Sequence, residues 1–404
     1  MTPWLTIIGV GDDGLSGLSA SSFAMVKAAQ VLFASKRICT QLDFPDVAVH
    51  VWEDGYDDTL SKLMARRGQP TVLLATGDPM HFGIGATLST KLSPSEYWSI
   101  PMPSAFSLAA SKLGWPLQET ACLSLHGRPV EHLARHLSPR VKVLALTSSG
   151  QTISEAAALL QRCGYGRSRM IVLEHLGGAR ERMVELSPSD ASVQTFADLN
   201  TLAIECEAYP DTAYFGSMPG LPDDAFQHDG QLTKREVRAV TLAALQPFPG
   251  AVLWDVGAGC GSIGIEWMRA ARGAKAFAIE ENATRIAMIE VNAKLLGVPE
   301  LKIVKGTAPA ALNDLPEPDA VFIGGGITDE GVFDAGFTAL KPNGTLVANA
   351  VTVQGEARLI ELAGTYQGSL SRIAISRAEP VGGFTAFKPI MPVTMLTIRK
   401  KRPQ

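Results

Sequence analysis

The chain has 404 residues, and at roughly 150 residues per domain that length means two or three globular units. With 46% hydrophobic and 19% charged residues it buries large cores, which excludes global disorder, and the 38 Gly and 25 Pro are scattered at turns, which excludes collagen-like and low-complexity classes. A net charge of −4, from 36 Lys plus Arg against 40 Asp plus Glu, lacks the cation surplus by which a general nucleic-acid binder neutralises phosphates.

From the N-terminus to about residue 205, short apolar runs alternate with segments of helical spacing. Strands are predicted at Leu5–Val10, Val31–Ala34, Thr71–Ala75, Val141–Leu146, Met170–Glu174 and Leu202–Glu205, with helices at Ser21–Ala29, Gly83–Lys91, Ser104–Leu113 and Ile153–Gln161. Such alternation implies a mostly parallel α/β sheet. Pro210, Pro219, Gly220, Pro222 and Gly230 then interrupt the pattern, so residues 209–231 read as a linker between domains at 1–208 and 232–404. Thr233, with Glu236 three residues on, reads as a capping box that opens a helix. A second alternation follows, with strands at Val252–Val256, Ala276–Ile279, Leu301–Val304, Ala320–Ile323 and Thr345–Ala348 and late runs at Ser371–Ser376 and Met395–Arg399. The halves are not repeats of each other, and the fold class is α/β throughout.

Five dispersed cysteines, Cys39, Cys122, Cys163, Cys206 and Cys260, form an odd set without a C-x-x-C pair. That fits reduced thiols in a cytoplasm and neither a disulfide framework nor a zinc site. No apolar run reaches the roughly 18 residues needed to cross a bilayer. The stretch Trp4 to Val10 breaks at Gly11-Asp12-Asp13, as a buried strand does and a signal peptide does not. The expectation is a soluble cytoplasmic protein.

Two glycine-rich loops follow strands. The first, Gly9-Val10-Gly11-Asp12-Asp13-Gly14, has the dinucleotide spacing G-x-G-x-x-G. Against that use, Asp12 and Asp13 put carboxylates where a pyrophosphate sits, and no acid ends the strand Val31–Ala34 to hold a ribose. A tight turn and a nicotinamide site are the two readings. The second loop, Asp255-Val256-Gly257-Ala258-Gly259-Cys260-Gly261, has Ser262 where a dinucleotide loop has its third glycine. Glu280 closes the next strand, where a carboxylate accepts both ribose hydroxyls. A backbone that approaches a nucleoside this closely without a phosphate points to S-adenosylmethionine, with a nicotinamide dinucleotide as the alternative. Cys260 reads as a small loop filler or as a nucleophile, and no nearby His activates it.

The motifs Ile7-Ile8-Gly9-Val10-Gly11, Thr76-Gly77-Asp78-Pro79, Pro103-Ser104-Ala105-Phe106-Ser107 and Ser124-Leu125-His126-Gly127-Arg128 resemble the tetrapyrrole (corrin/porphyrin) methyltransferases. The second half resembles the methyltransferase and decarboxylase subunit of the cobalamin pathway. That likeness runs from Gly220-Leu221-Pro222-Asp223-Asp224 and Thr233-Lys234 through the second glycine loop and Gly306-Thr307-Ala308-Pro309 to Gly324-Gly325-Gly326. In this order, over nearly the whole chain, the two resemble the decarboxylating precorrin-6Y methyltransferase family.

The resemblance implies an N-terminal tetrapyrrole methylase fold of two α/β subdomains plus a C-terminal Rossmann-like class I S-adenosylmethionine methyltransferase. It implies two S-adenosylmethionine sites per chain, precorrin-6Y as substrate and a homo-oligomer, with neither nucleic acid nor membrane as a partner. The implied reaction is methylation at carbons 5 and 15 with decarboxylation of the ring-C acetate at carbon 12, giving precorrin-8X. Carried over by motif, Asp12, Thr76, Gly77, Asp78, His81, Phe106, Ser107 and Thr147 become the cofactor contacts of the first domain. Thr233, Gly257, Ala258, Gly259, Cys260, Gly261, Glu280 and Ala308 become those of the second. Ser104 departs from the glycine that members often carry there. The rival readings are a methyltransferase of another tetrapyrrole or small molecule with one half degenerate, and a non-catalytic S-adenosylmethionine-binding protein.

Single residues keep two readings each. His81 and His126 are ligand contacts or ordinary loop histidines. Arg128, Arg135, Arg140, Lys234, Arg235 and Arg238 are solvated helix faces, or the local cations that a polycarboxylate needs on a chain of net negative charge. Gly324-Gly325-Gly326 is a turn, or a gap for a wide, flat substrate at the carboxyl end of the sheet. No Ser-His-Asp, Cys-His or metal-ligand constellation appears in the sequence. None is needed where an electron-rich carbon takes a methyl group and the protein supplies placement and dryness. Catalytic residues, including the acid that delivers a proton after decarboxylation, stay unassigned.

Overall fold

The computed structural model describes residues 3–42, 44, 47–52 and 56–401. They fall into two compact units, Met1–Val130 with Ser138–Thr212, and Glu131–Leu137 with Ala213–Gln404. Among the described residues the first unit holds two sheets of five strands. β1 (Leu5–Val10), β2 (Val31–Ser35), β3 (Ala48–Trp52), β4 (Thr71–Thr76) and β5 (Tyr97–Ile100) form the first, in the order β3-β2-β4-β1-β5, with every pair parallel. Leu5, Ile7, Phe33 and Leu73 pack into one core cluster and Ile8, Val10, Leu32 and Leu74 into another. The alternation leaves both faces of the sheet apolar, the pattern of a parallel sheet covered on each side. Val10 lies opposite Thr76, so the loops after β1 and β4 leave the sheet side by side.

The second sheet contains β6 (Thr120–Ser124), β7 (Lys142–Leu146), β8 (Arg169–Glu174), β9 (Arg182–Leu186) and β10 (Asn200–Glu205), in the order β6-β7-β10-β8-β9. Only β6 and β7 are parallel, which corrects the expectation of a mostly parallel sheet for this part of the chain. The apolar runs at 170–174 and 202–205 mark buried strands but carry no direction. The short loop at 175–181 turns β8 back into β9, and β10 inserts antiparallel between β7 and β8.

In the second unit, β11 (Val252–Val256), β12 (Lys275–Glu280), β13 (Lys302–Lys305), β14 (Ala320–Ile323), β15 (Thr345–Ala350), β16 (Ser369–Ile373) and β19 (Val393–Arg399) make one sheet, ordered β13-β12-β11-β14-β15-β19-β16. The first five run parallel and β19 is antiparallel to both neighbours. β17 (Ser376–Val381) and β18 (Phe384–Pro389) form a separate hairpin, closed by Gly382-Gly383 with Gly382 at φ 59°. Among the described residues no helix is long and apolar enough to cross a membrane.

The linker reading is corrected from Phe215 onward, where Arg269 donates to the carbonyls of Phe215 and Gly216. Leu221 and Phe226 are buried in the second unit's core. Glu266, on the helix Ser262–Ala270, accepts the backbone N–H groups of Gly220 (2.5 Å) and Leu221 (3.0 Å). Arg238, on the helix Arg235–Leu245, is 0% exposed and donates from Nε to Glu266 Oε1 at 2.5 Å. It also donates to the carbonyls of Leu221 and Thr233 and lies over the Phe226 ring, 4.8 Å from its centroid. The Pro and Gly residues bend the segment, and these buried polar contacts hold it as a strap.

The same contacts correct two further expectations. Arg238 is no solvated helix-face cation and no carboxylate receptor, because its guanidinium is spent inside the fold. The capping box does not form either. The helix begins at Arg235 without a side-chain cap, Thr233 offers its carbonyl to Arg238, and Glu236 pairs with Arg377 at 2.6 Å. Tertiary pairing, buried at Arg238 and half-exposed at Glu236, outweighs a cap worth about 1 kcal/mol.

Replacing Arg238 by Met leaves Glu266 as a buried unpaired charge, and the expected loss is about 3–5 kcal/mol of stability. Urea unfolding of the full chain checks this, and adding Glu266→Gln should restore part of the loss. A loss under about 1 kcal/mol would mean that apolar contacts alone hold the strap.

Candidate active site

Each unit has its own cavity where its strands end. In the second unit β11 stops at Val256 and the chain turns through Gly257, Gly259 and Gly261, at φ 71°, 60° and 82°, a left-handed path that favours glycine. A Cβ on Gly257 would sit 3.0 Å from the backbone N of Gly325, so two glycine loops meet here. The cavity measures about 740 Å³, and Thr233, Gly257, Ala258, Gly259, Cys260, Glu280 and Ala308 all line it. Gly261 does not. It turns the chain into the helix Ser262–Ala270, where an added Cβ would press on Ile289 at 3.0 Å.

Glu280, at the end of β12 and 6% exposed, accepts the N–H of Gly259 at Oε2 (2.8 Å) and that of Asn282 at Oε1 (3.0 Å). The two bonds fix the carboxylate and leave lone pairs on both oxygens, the acceptor set that a pair of vicinal hydroxyls needs. Asp255 lies beneath the loop and is wholly buried. Its Oδ2 accepts the N–H of Gly264 (2.9 Å), while Oδ1 has no partner. Burial, with a smaller contribution from the Glu280 charge, pushes its carboxyl up to about 7. Burial likewise pushes the Cys260 thiol up to about 11, which supports the loop-filler reading over the nucleophile.

Gly324, Gly325 and Gly326 border the cavity after β14, and a Cβ on Gly325 would meet nothing. Asn349, Val351, Ile390, Met391 and Val393 line it as well. Sequence reasoning missed Asn349, although a polar residue inside the apolar run of β15 was a signal. Its Nδ2 donates to Thr241 Oγ1 (2.9 Å), and its Oδ1 is buried without a partner.

In the first unit a cavity of about 790 Å³ is lined by Asp12, Thr76, Gly77, Asp78, His81, Phe106 and Thr147. Ser107 is not among its walls. Ser107 belongs to the first turn of the helix Ala105–Leu113, and its N–H goes to Ser104 Oγ (3.2 Å). Ser104 itself has φ −68°, so no glycine is required there. The first glycine loop serves packing: a Cβ on Gly9 would lie 2.2 Å from the carbonyl oxygen of Gly77.

Asp12 reaches the cavity wall with its carboxylate already engaged. Oδ1 accepts Arg37 (2.6 Å), and Oδ2 lies 3.1 Å from His175 Nδ1. Gly178 makes this possible, since a Cβ there would be 2.2 Å from Asp12 Oδ2. Neither Arg37 nor His175 was legible in the sequence, because they stand 25 and 163 residues from Asp12. His81 Nδ1 is 3.3 Å from Ser104 Oγ, and its ring packs 4.8 Å from that of Phe106. Thr147 donates to Asn200 Oδ1 (2.8 Å), and its carbonyl lies 3.3 Å from Nδ1 of His126, which also lines the cavity.

Two unlike α/β units, each with a cavity at its strand ends, and a G-x-G-x-G loop faced by a strand-terminal carboxylate, fit a methyltransferase of the S-adenosylmethionine-dependent class. Residues 4–191 match the tetrapyrrole (corrin/porphyrin) methylases and residues 224–400 the precorrin methyltransferase domain. A precorrin-6Y C(5,15)-methyltransferase (decarboxylating) of Sinorhizobium sp is 46% identical over 395 residues, 98% of this chain and 96% of that relative. The chain belongs to the precorrin-6Y C(5,15)-methyltransferase (decarboxylating) family. A probable cobalt-precorrin-6B C(15)-methyltransferase (decarboxylating) of Pyrobaculum calidifontis is 30% identical over 185 residues, 44% of this chain and 95% of that one. Among solved structures, the C-terminal domain of a Rhodobacter capsulatus precorrin-6Y C5,15-methyltransferase is 44% identical, covering 46% of this chain and all of that one, with a TM-score of 0.44.

Asp255 generates a pH prediction. Its carboxyl titrates at 3.8 when unfolded and at about 7 when folded, so the folded state binds the proton more tightly. That contribution is complete below 3.8 and disappears as pH rises through about 7. The ligand-free chain should therefore lose stability across that window, and Asp255→Asn should flatten the loss. Urea midpoints measured at stepped pH test this, and an equal slope in the variant would assign the effect elsewhere.

Proposed function

We infer that the chain carries out two methyl transfers to precorrin-6Y, at carbon 5 in the first unit and carbon 15 in the second, with loss of the ring-C acetate carboxyl to give precorrin-8X. The observation behind this reading is the pair of separate cavities, one per unit, each walled by its own set of loops. The printed names of the relatives support it: one of full length is called C(5,15), and one matching 44% of the chain is called C(15) and decarboxylating. The five cysteines, none of them in a disulfide, accord with a reducing cytoplasm.

S-adenosylmethionine supplies the methyl group as a sulfonium. In the second unit Glu280 would take the ribose hydroxyls, and the left-handed glycines would let backbone stand where side chains cannot. In the first unit Gly77, His81, Phe106 and Thr147 would form the corresponding wall. The protein's part is to align acceptor carbon and methyl group and to keep water out.

Calorimetry with S-adenosylhomocysteine should give two equivalents per chain. Glu280→Ala should weaken one of them about 100- to 10,000-fold, the cost of a lost pair of hydrogen bonds to a charged group. The product of wild type, by mass spectrometry, should show two methyl groups gained and one carbon dioxide lost; that of the variant should keep its carboxyl and gain one methyl. One equivalent in wild type, or double methylation by Glu280→Ala at the wild-type rate, would overturn the reading.

A further inference from the structure

A polycarboxylate acceptor needs positive charge where it docks. The second unit's cavity offers little. Its acidic walls are Glu280, Glu281 and Asp329, and its two cations are Arg285 and Lys234. Arg285 is spoken for, with Nε 2.8 Å from Asp229 Oδ2. Lys234 is half-buried, and among the described residues its ammonium has no acid partner.

The position of Lys234 is fixed from both sides. Before it, the Thr233 carbonyl accepts the buried Arg238. After it, the helix Arg235–Leu245 packs on β14, β15 and β19. Those strands bring Gly324–Gly326, Asn349 and Val393 to the cavity. Glu280 stands on β12, on the other side of β11. Glu280 and the helix that begins directly after Lys234 therefore belong to opposite halves of the sheet.

We propose that Lys234 is the carboxylate receptor of the acceptor subsite, pairing with an acidic side chain of the tetrapyrrole. The assignment rests on the function inferred above. A carboxylate has two sources in this cavity, the acceptor and the amino-acid tail of the cofactor, and the place of Lys234 at the head of a helix packed on the β14–β15–β19 half favours the acceptor. An ammonium in a partly dry cavity holds a carboxylate more firmly than one in water, and a neighbouring Asp or Glu would cancel it.

The test uses the full chain with Lys234→Gln and Lys234→Arg, assayed with precorrin-6Y and S-adenosylmethionine by carbon dioxide release. Lys234→Gln should raise the KM for precorrin-6Y about 10- to 100-fold, the effect of one charge-assisted hydrogen bond, and Lys234→Arg should restore most of it. Binding of S-adenosylhomocysteine by calorimetry should stay unchanged in both. The wild-type KM should climb with salt and that of Lys234→Gln should not. An unchanged KM in Lys234→Gln overturns the proposal, and so does weakened S-adenosylhomocysteine binding with the acceptor KM intact, which would give Lys234 to the cofactor. A wild-type chain inert toward precorrin-6Y would sink the function first, whereas an active wild type with an indifferent variant sinks only Lys234.

Discussion

The second unit is organised around the Arg238 guanidinium. It has no solvent contact and gathers Glu266, the carbonyls of Leu221 and Thr233, and the face of Phe226. A buried cation of this kind is tolerated only when every donor finds an acceptor, so its partners have little freedom to move. One partner carbonyl belongs to Thr233, a cavity wall. Glu266 lies on the helix that continues the glycine loop. Charge satisfaction in the core thus determines the shape of the site above it.

The first unit solves a related problem with a carboxylate. Asp12 leaves β1 and is held by Arg37 from the segment after β2 and by His175 from the loop after β8, so residues from both sheets converge on one group. His175 adopts φ 50°, an uncommon conformation for a residue other than glycine, and Gly178 gives up a side chain for the same contact. An acid that opposed the reading of its loop as a pyrophosphate cradle is, in the fold, the junction between two subdomains.

Interior strands were legible almost to the residue. β1, β11 and β14 coincide with their apolar runs because both of their faces are buried. The strands without a signal, β3, β5, β6 and β9, all lie at sheet edges, where half-exposed residues dilute the pattern. The exposed hairpin of β17 and β18 was missed for the same reason. Around the cavities, glycine loops could be located because left-handed turns and close backbone approach restrict residue choice. Partnerships across long separations, such as Asp12 with His175 or Arg238 with Glu266, leave no local trace, and the strap at 220–226 looked like a linker for that reason.

The raised Cys260 thiol has a meaning beyond excluding it as a nucleophile. An alkylating reagent held in a pocket threatens every lone pair within reach, the protein's own included. At neutral pH a thiol pushed up to about 11 is almost entirely protonated, and therefore a poor target. Glu280 is occupied by two backbone N–H groups, which blunts its oxygens as well. These two groups of the wall are chemically quiet, so that a sulfonium held here as proposed would find neither of them competing with the acceptor carbon.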